Sequence, residues 1–346
     1  MSILLKFSIY PRLVNYLPVF RFTHNVKRFL KLTFMKATIS QLEYIIALDT
    51  YRHFGKAADN CFITQPTLSM QINKLEDNLG VKIFDRSRQP VMPTDLGKQI
   101  LLQARKIINE VKKMEELIDD EKDILSGSLR VGIIPTVAPY ILPLFATSFL
   151  KKYPEIQLSV EEHLTVDTIN KLKSDEIDVG IVVGPIEDSS LREIPVYYEK
   201  FLAYAADMGT KEGDEIDDED LATDRLWLLN EGHCFREQVL SICKNRNTSS
   251  ILNYQSGSLE SLKRMVDKQG GITLLPELAT LDLNLEDRKN LFPFKKPTPF
   301  REVVILLKRD YLKKRMIDAL QQEIVESLPQ FMKDRSENEL RIVKWK

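Results

Sequence analysis

The 346-residue chain has only 3 cysteines and no paired cysteine framework, which excludes a disulfide-stapled secreted domain and fits a reducing, cytoplasmic compartment. No stretch approaches the roughly 18 apolar residues that a membrane span requires. No excess of positive charge exists either. The formal net charge is -1, so a nucleic-acid site has to arise from local arrangement of Lys and Arg. Residues 1–34 lack acidic side chains altogether and carry Lys6, Arg12, Arg21, Lys27, Arg28 and Lys31, while Pro11 and Pro18 break any helix pattern. Their apolar stretches are too short and too interrupted for a secretory signal. They read either as a basic arm for DNA or membrane, or as the product of a start read too early. Patterned sequence begins right after Met35, so the expectation is a basic extension ahead of a true start at Met35.

What is present suits two or three soluble domains: 43% of the residues are hydrophobic and 29% charged. A helical period begins near Ser40, a candidate N-cap, with Leu42, Tyr44, Ile45, Ile46 and Leu48 on one face. A short second helix covers Phe54–Asp59, where Ala57 and Ala58 allow close approach. A third begins at Thr64, with Pro66 in its first turn, where a missing N–H costs nothing. Leu68, Ile72, Leu75 and Leu79 form its buried face, which leaves Gln65, Thr67, Met70, Gln71 and Lys74 outward. Such side chains near a helix N-terminus can meet base edges in a major groove. Arg86 and Arg88, after apolar Val81, Ile83 and Phe84, suit a wing that touches phosphate. Acidic and basic residues balance from Met35 to Asp95, so these patterns alone leave an ordinary three-helix bundle open.

The motif string is more specific. Phe54-x-x-Ala57-Ala58, Thr64-Gln65-Pro66-Thr67-Leu68-Ser69, Ile72-x-x-Leu75-Glu76, Leu79-Gly80-Val81-x-Ile83-Phe84-x-Arg86 and Thr94-x-x-Gly97 together resemble LysR-type transcription regulators without a gap. The resemblance implies double-stranded DNA as partner. The helix holding Gln65, Pro66, Thr67, Met70, Gln71 and Lys74 would read bases, and the wing would touch the backbone. Cys61 reads as a buried core residue.

A long helix is expected from about Thr94 to Leu125. Ile100, Ala104, Ile107, Val111, Met114 and Ile118 repeat by four and three, an a/d seam that a lone helix would leave open. Pairing with a second copy would cover it and favour a pseudo-palindromic operator; packing on its own chain is the alternative. Ser126-Gly127-Ser128 ends it. Beyond, short apolar strands alternate with helices: strands over Leu129–Ile134, Ile156–Val160, Val179–Val183, Leu202–Ala205, Leu226–Leu229, Ile272–Leu275 and Val303–Leu307, and helices over Tyr140–Lys152, Val166–Lys173 and Arg315–Ser327. Alternation argues for a parallel sheet with crossover helices. The expected fold is α/β: a winged helix-turn-helix (35–93), a linker and dimerisation helix (94–126), and a two-lobed regulatory domain like periplasmic binding proteins. Lobe I would take 127–198, lobe II 199–299, and 300–346 would return to lobe I and end as a tail.

Ligands of open parallel sheets lie beyond strand carboxyl ends, near helix N-termini. Thr136, Thr165 and the Glu231-Gly232-His233-Cys234 segment occupy such loops, although each Thr alone can simply cap a helix. Cys234 opens a helix whose Phe235, Val239 and Ile242 share a face. The helix dipole there favours thiolate, and His233 and Arg236 could add to it. Cys243 stands nine positions on, about 13.5 Å along a helix axis, whereas a disulfide needs Cα atoms within roughly 7 Å. Either the thiols never join, or joining them melts the helix. A metal site from His233, Cys234 and Cys243 lacks a fourth ligand, and no cofactor is expected. Asp214, Glu215, Asp217, Asp218, Glu219 and Asp220 read as a solvated acidic loop.

Three further segments resemble the OxyR subgroup of hydrogen-peroxide sensors. They are Gly232-His233-Cys234-x-Arg236-x-Gln238-x-x-x-x-Cys243, Ser258-Leu259-Glu260-x-Leu262-x-x-Met265-Val266 followed by Gly271-Ile272-Thr273-Leu274-Leu275-Pro276, and Ile134-Pro135-Thr136-Val137-x-Pro139-Tyr140. The resemblance implies Cys234 as the peroxide-reacting thiol and Cys243 as its resolving partner. It also implies Thr136, Thr165, His233, Arg236 and Glu237 as supporting groups, with Glu237 standing where the subgroup often has Asp. Tetramers and work with RNA polymerase at oxidative-stress genes are implied as well. Two rivals are a metabolite sensor with incidental cysteines and a thiol peroxidase.

Overall fold

The computed structural model describes residues 36–119, 125–206, 214–221, 225–243, 256–333 and 341–345. The basic extension of residues 1–34 lies outside them. The chain forms two compact units, one running up to Leu101 and the other from Leu102.

Among the described residues, the first unit holds three helices and a small hairpin before the long helix that leaves it. Helix α1 (Ile39–Tyr51) starts at Thr38 rather than at Ser40. Thr38 is extended and closes a reciprocal box with Gln41: its Oγ1 accepts from Gln41 N at 3.3 Å, and Gln41 Oε1 accepts from Thr38 N at 3.1 Å. Ser40 therefore lies inside the helix, as its second residue. In α2 (Phe54–Asn60) the His53 ring caps two amides. Cys61 forms its C-terminal cap and is only half-buried, because that turn sits at the surface rather than in the core.

Helix α3 (Gln65–Leu79) has Thr64 as N-cap, Pro66 in its first turn and Gly80 at φ +74° beyond its end. Leu68, Ile72 and Leu75 are buried, Leu79 only partly. The fourth buried position is Glu76, 1% exposed. Its carboxylate accepts from Ile83 N (2.9 Å) and Phe84 N (3.2 Å) and pairs with Lys82 and Arg86. It thereby fastens the wing, β1 (Phe84–Asp85) against β2 (Met92–Pro93), onto α3. The Thr94-x-x-Gly97 motif has an equally local cause. Thr94 Oγ1 donates to Lys82 O and accepts from Gly97 N, and a Cβ at Gly97 would stand 2.0 Å from Ile83 O.

Helix α4 (Asp95–Asp119) runs on from there and spans the division between the units. Of its seam, Ala104 is buried, Ile100 and Val111 are half-buried, and Ile107 and Met114 are 38% and 67% exposed; the Ile118 side chain lies outside the described residues.

Among the described residues, the second unit has a path of strands in the order β4 (Ile156–Glu162), β3 (Gly127–Ile133), β5 (Val179–Val183), β9 (Pro299–Lys308), β6 (Leu191–Ala205) and β7 (Ile272–Pro276). Strands β3, β4 and β5 are parallel, joined through helices α5 (Ala138–Lys152) and α6 (Thr165–Lys173). The all-parallel expectation stops there, because β9 runs antiparallel to β5 and to β6. Strand β6, 15 residues long, pairs with β9 through Lys200 and then with β7 and β8 (Leu291–Pro293). These long strands cross between two lobes. Lobe I buries Val131, Ile133, Phe145, Ile181 and Ile305 with helix α9 (Lys314–Ser327) laid on top, following α7 (Cys234–Ile242) and α8 (Leu259–Gln269) in the chain. Lobe II buries Phe201, Tyr204, Phe235, Val239, Leu262 and Leu274.

The expected strand over Leu226–Leu229 is reduced to single bridges at its two ends, Leu226 with Ile272 and Leu229 with Ser256. The chain leaves β7 after Trp227 N bonds Ile272 O and turns toward Ser256, so no ladder develops.

Candidate functional site

The candidate DNA-reading surface belongs to the first unit. On α3, Gln65, Pro66, Met70 and Lys74 are exposed, while Thr67 and Gln71 are half-buried. Thr67 shares a 2.8 Å hydrogen bond with the capping Thr64. Gln71 Oε1 accepts from buried Gln41 at 3.2 Å, so part of its capacity is spent on holding α1 against α3. The two wing arginines differ. Arg88 is 70% exposed at the side chain and pairs only locally with Asp85. Arg86 is tied to Glu76 and its guanidinium lies 5.2 Å from the Phe54 ring centroid, so it braces the wing before it meets anything else. Phe62 is 95% exposed in the turn before α3, at φ 55°, a position the sequence pattern did not single out.

The thiol site lies between the lobes of the second unit. Cys234 is the first residue of α7, and its side chain joins the lobe I core, whereas Phe235, Val239, Ile242 and Cys243 belong to the lobe II core. Helix α7 therefore begins at the lobe boundary. Thr136, in the loop after β3, and Thr165, the first residue of α6, are each 2% exposed and lie at this boundary. Arg301 of β9, 1% exposed, reaches the first of them. Its guanidinium donates to Thr136 Oγ1 at 3.1 Å and Thr136 O at 2.9 Å, pairs with Glu199 at 2.7 Å, and lies 5.3 Å from the Phe235 ring. Glu199 and Arg301 are opposite one another in the β6–β9 register. Glu199 Oε2 also accepts from Leu278 N.

Several forces act on the Cys234 sulfur. Burial pushes the thiol pKa up and outweighs the rest; Thr165, the Arg301 charge and the amides at the start of α7 pull it down. The amides at the start of α7 act in favour of thiolate, while burial opposes it, because an anion sealed between two cores loses its hydration. The cation that acts on it is Arg301, not its sequence neighbours. Arg236 turns to the Leu229 carbonyl at 2.8 Å. His233 is buried facing the Gly257 turn, and burial lowers its pKa, which favours a neutral ring. Glu237 is exposed on the first turn of α7. Thr165 Oγ1 is buried and no well-formed hydrogen bond satisfies it, so this oxygen has capacity left beside the sulfur.

Cys243 caps the other end of α7 and is 2% exposed; burial, then the Asp218 charge, pushes its thiol up to about 12. The two cysteines are both free. Nine residues of regular coil hold them about 13.5 Å apart along the axis. Among the described residues no cluster of His, Cys, Asp and Glu could hold a metal ion, and no helix is long and apolar enough to cross a membrane.

With both surfaces placed, comparison with known proteins decides the family. Residues 39–98 match the bacterial regulatory helix-turn-helix protein of the lysR family, and residues 122–329 match the LysR substrate binding domain. The chain belongs to the LysR family of transcription regulators. Within that family it is an OxyR-like member. It is 35% identical over 269 residues to the hydrogen peroxide-inducible genes activator of Dickeya chrysanthemi, covering 78% of this chain and 88% of that one. It is 36% identical over 266 residues to the DNA-binding transcriptional dual regulator OxyR of Escherichia coli strain K12, covering 77% and 87%. A full-length OxyR variant from Pseudomonas aeruginosa superposes with a TM-score of 0.71 at 34% identity, covering 83% of this chain and 97% of that one. A hydrogen-peroxide-bound OxyR mutant from Corynebacterium glutamicum gives 0.56 at 26% identity, covering 84% and 92%. In this LysR-type chain the expected α/β architecture holds: a winged helix-turn-helix and a two-lobed domain.

Two residues of the LysR-type thiol site escaped the sequence reading, Glu199 and Arg301. The available signal was an adjacent pair of charges inside each of two apolar stretches, Glu199-Lys200 within Tyr197 to Ala205 and Arg301-Glu302 within Phe300 to Leu307. Nothing in either stretch shows that Glu199 and Arg301 face each other.

Proposed function

We propose that this OxyR-like regulator senses hydrogen peroxide through a reversible Cys234–Cys243 disulfide and transmits the change to DNA bound by its helix-turn-helix. One observation carries the reading. A buried thiol stands with the Thr165 hydroxyl, the Thr136–Arg301 pair and helix amides around it, and a second thiol waits at the far end of the same helix. Arg301 supplies positive charge where negative charge develops, and Thr165 has an unsatisfied oxygen where peroxide would bind.

Cys234 loses its proton and its sulfur attacks one peroxide oxygen. The O–O bond breaks, S–OH forms, and hydroxide leaves with the proton as water. Cys243 then attacks the Cys234 sulfur. The S–S bond forms, the S–O bond breaks, and a second water departs. Two thiols are oxidised and one peroxide is reduced to two waters. His233 supports the segment from which Cys234 projects, and Arg236 and Glu237 shape its first turn. Because regular coil separates the sulfurs, the second step unwinds α7 and repacks lobe II. One oxidation per signal suffices, so the chain acts as a switch rather than as an enzyme.

On DNA, Gln65, Pro66, Thr67, Met70 and Gln71 of α3 face base edges, while Lys74 and Arg88 take phosphate and Arg86 stiffens the wing. The apolar stripe of α4, with Ile107 and Met114 in solvent, pairs with a second copy, which sets two reading helices on a pseudo-palindromic operator. Dimers assemble further into tetramers that work with RNA polymerase in the cytoplasm. The test is peroxide treatment at one equivalent, with thiol counting and disulfide mapping, beside footprinting on the same sample. A Cys234–Cys243 link and a changed footprint are expected. Cys234→Ser should abolish both while sparing DNA binding, and a Cys234→Ser protein that still responds refutes the assignment.

A further inference from the structure

The segment 341–345 touches both lobes and the cysteine helix. Strand β10 (Arg341–Ile342) lies parallel beside β9, with Ile342 opposite Phe300, and Val343 N donates to Phe300 O at 2.8 Å. Phe300 immediately precedes Arg301, the residue that acts on Cys234. Val343 is buried in the lobe II core, and its carbonyl accepts from Gln238 Nε2 at 2.6 Å. Gln238 is 0% exposed and sits in the middle of α7, between the two cysteines. Trp345 continues into lobe I, where its indole donates to Val183 O at 2.9 Å. At the other end, Arg341 forks the carboxylate of Asp218 at 3.1 and 2.9 Å, and Asp218 is the charge that acts on Cys243.

We propose that residues 341–345 form a clasp that holds α7 coiled and thereby sets how readily Cys234 and Cys243 are joined. Gln238 is the latch. Its Oε1 is buried without a hydrogen-bond partner, so the Val343 carbonyl is what holds its side-chain amide. Linking the sulfurs requires Cα atoms within roughly 7 Å, while the coil keeps them about 13.5 Å apart. Residues between them must therefore leave the coil, and Gln238 leaves Val343 with them. A contact present only in the coiled form stabilises the dithiol over the disulfide plus two waters that one peroxide would produce from it. The clasp opposes oxidation, and oxidation releases the clasp. Its redox half rests on the disulfide reading above; its hold on α7 does not.

The test uses the full chain, a version ending after residue 340, and Gln238→Met, which keeps side-chain length and removes the donor. In the reduced proteins, amide exchange of the α7 peptide should rise at least tenfold in both variants, with exchange in β3 and α3 unchanged and operator binding retained. Unchanged α7 exchange overturns the clasp, and should truncation unfold the chain, Gln238→Met alone decides. In a glutathione titration read by disulfide mapping, both variants should shift the midpoint ratio about tenfold toward the disulfide. In the intact protein, oxidation should expose the 341–345 peptide to exchange. A loosened α7 with an unmoved midpoint overturns the control of the cysteine pair. An intact protein that forms no link with peroxide removes the sensing reading and the redox half together, and the exchange arm still decides whether the clasp exists.

Discussion

Replacing Arg301 with Met removes a guanidinium that is 1% exposed and leaves Glu199, also 1% exposed, without its counter-charge. Burial already pushes the Glu199 carboxyl up against the pull of Arg301 and the Leu278 amide. Breaking one side of a buried ion pair costs about 3–5 kcal/mol. At about 2–4 °C per kcal/mol for a unit of this size, Tm should fall by roughly 6–20 °C. The sign of the pH dependence follows. In Arg301→Met, Glu199 has a folded pKa above its unfolded value. The folded state therefore gains from protonation below the unfolded pKa and loses that gain as pH rises through the folded value. The deficit should be largest near pH 7 and shrink toward pH 5. Adding Glu199→Gln to Arg301→Met removes the buried charge and should recover part of the loss. Denaturant unfolding of wild type, both single variants and the double variant at pH 5 and 7 measures all of this. A loss below about 1 kcal/mol, equal at both pH values, refutes the claim that the pair is a buried ionic brace.

Three further outcomes are expected. Gly97→Ala places a Cβ 2.0 Å from Ile83 O, so the start of α4 must shift off the wing; a loss of about 1–3 kcal/mol and weakened operator binding should appear in unfolding and gel-shift assays, and an unaltered variant would show that the packing is looser than described. Glu76→Ala strips the acceptor from Ile83 N and Phe84 N at about 1–3 kcal/mol per buried amide, whereas Glu76→Gln keeps one oxygen and should lose less; equal losses would mean that the charge, not the acceptor, matters. Because burial raises the Cys234 thiol, its peroxide reaction should quicken about tenfold per pH unit from pH 6 to 8; a plateau below pH 7 in stopped-flow would show that the surrounding donors win instead.

The chain order of the helix-turn-helix was readable because its causes are local. Thr64, Pro66 and Gly80 mark the limits of α3, and Leu68, Ile72 and Leu75 recur at helical spacing. The start of α1 was misplaced by two residues because Thr38 and Ser40 are equally good caps by type, and only the Gln41 side chain, reaching back to Thr38, separates them. The strand directions of the regulatory domain were only half legible. Alternating strands and helices do give β3, β4 and β5 as parallel neighbours, but periodicity says nothing about how β6 and β9 run.

For the thiol site, residue types and spacing named Cys234, Cys243, Thr136 and Thr165, and they established that one regular helix cannot hold both sulfurs within bonding distance. That much depends on 1.5 Å of rise per residue and on nothing distant. The charge state of Cys234 could not be read in the same way. A helix N-terminus is a local feature that favours thiolate, but desolvation depends on which surfaces close over the sulfur, and those come from both lobes, from residues such as Thr165 and Arg301 that are distant from Cys234 in the chain. The same holds for Arg301 and Glu199. Each is a charge in an apolar stretch until β6 and β9 pair and set Glu199 opposite Arg301, and nothing local to either strand says which distant strand it will lie beside.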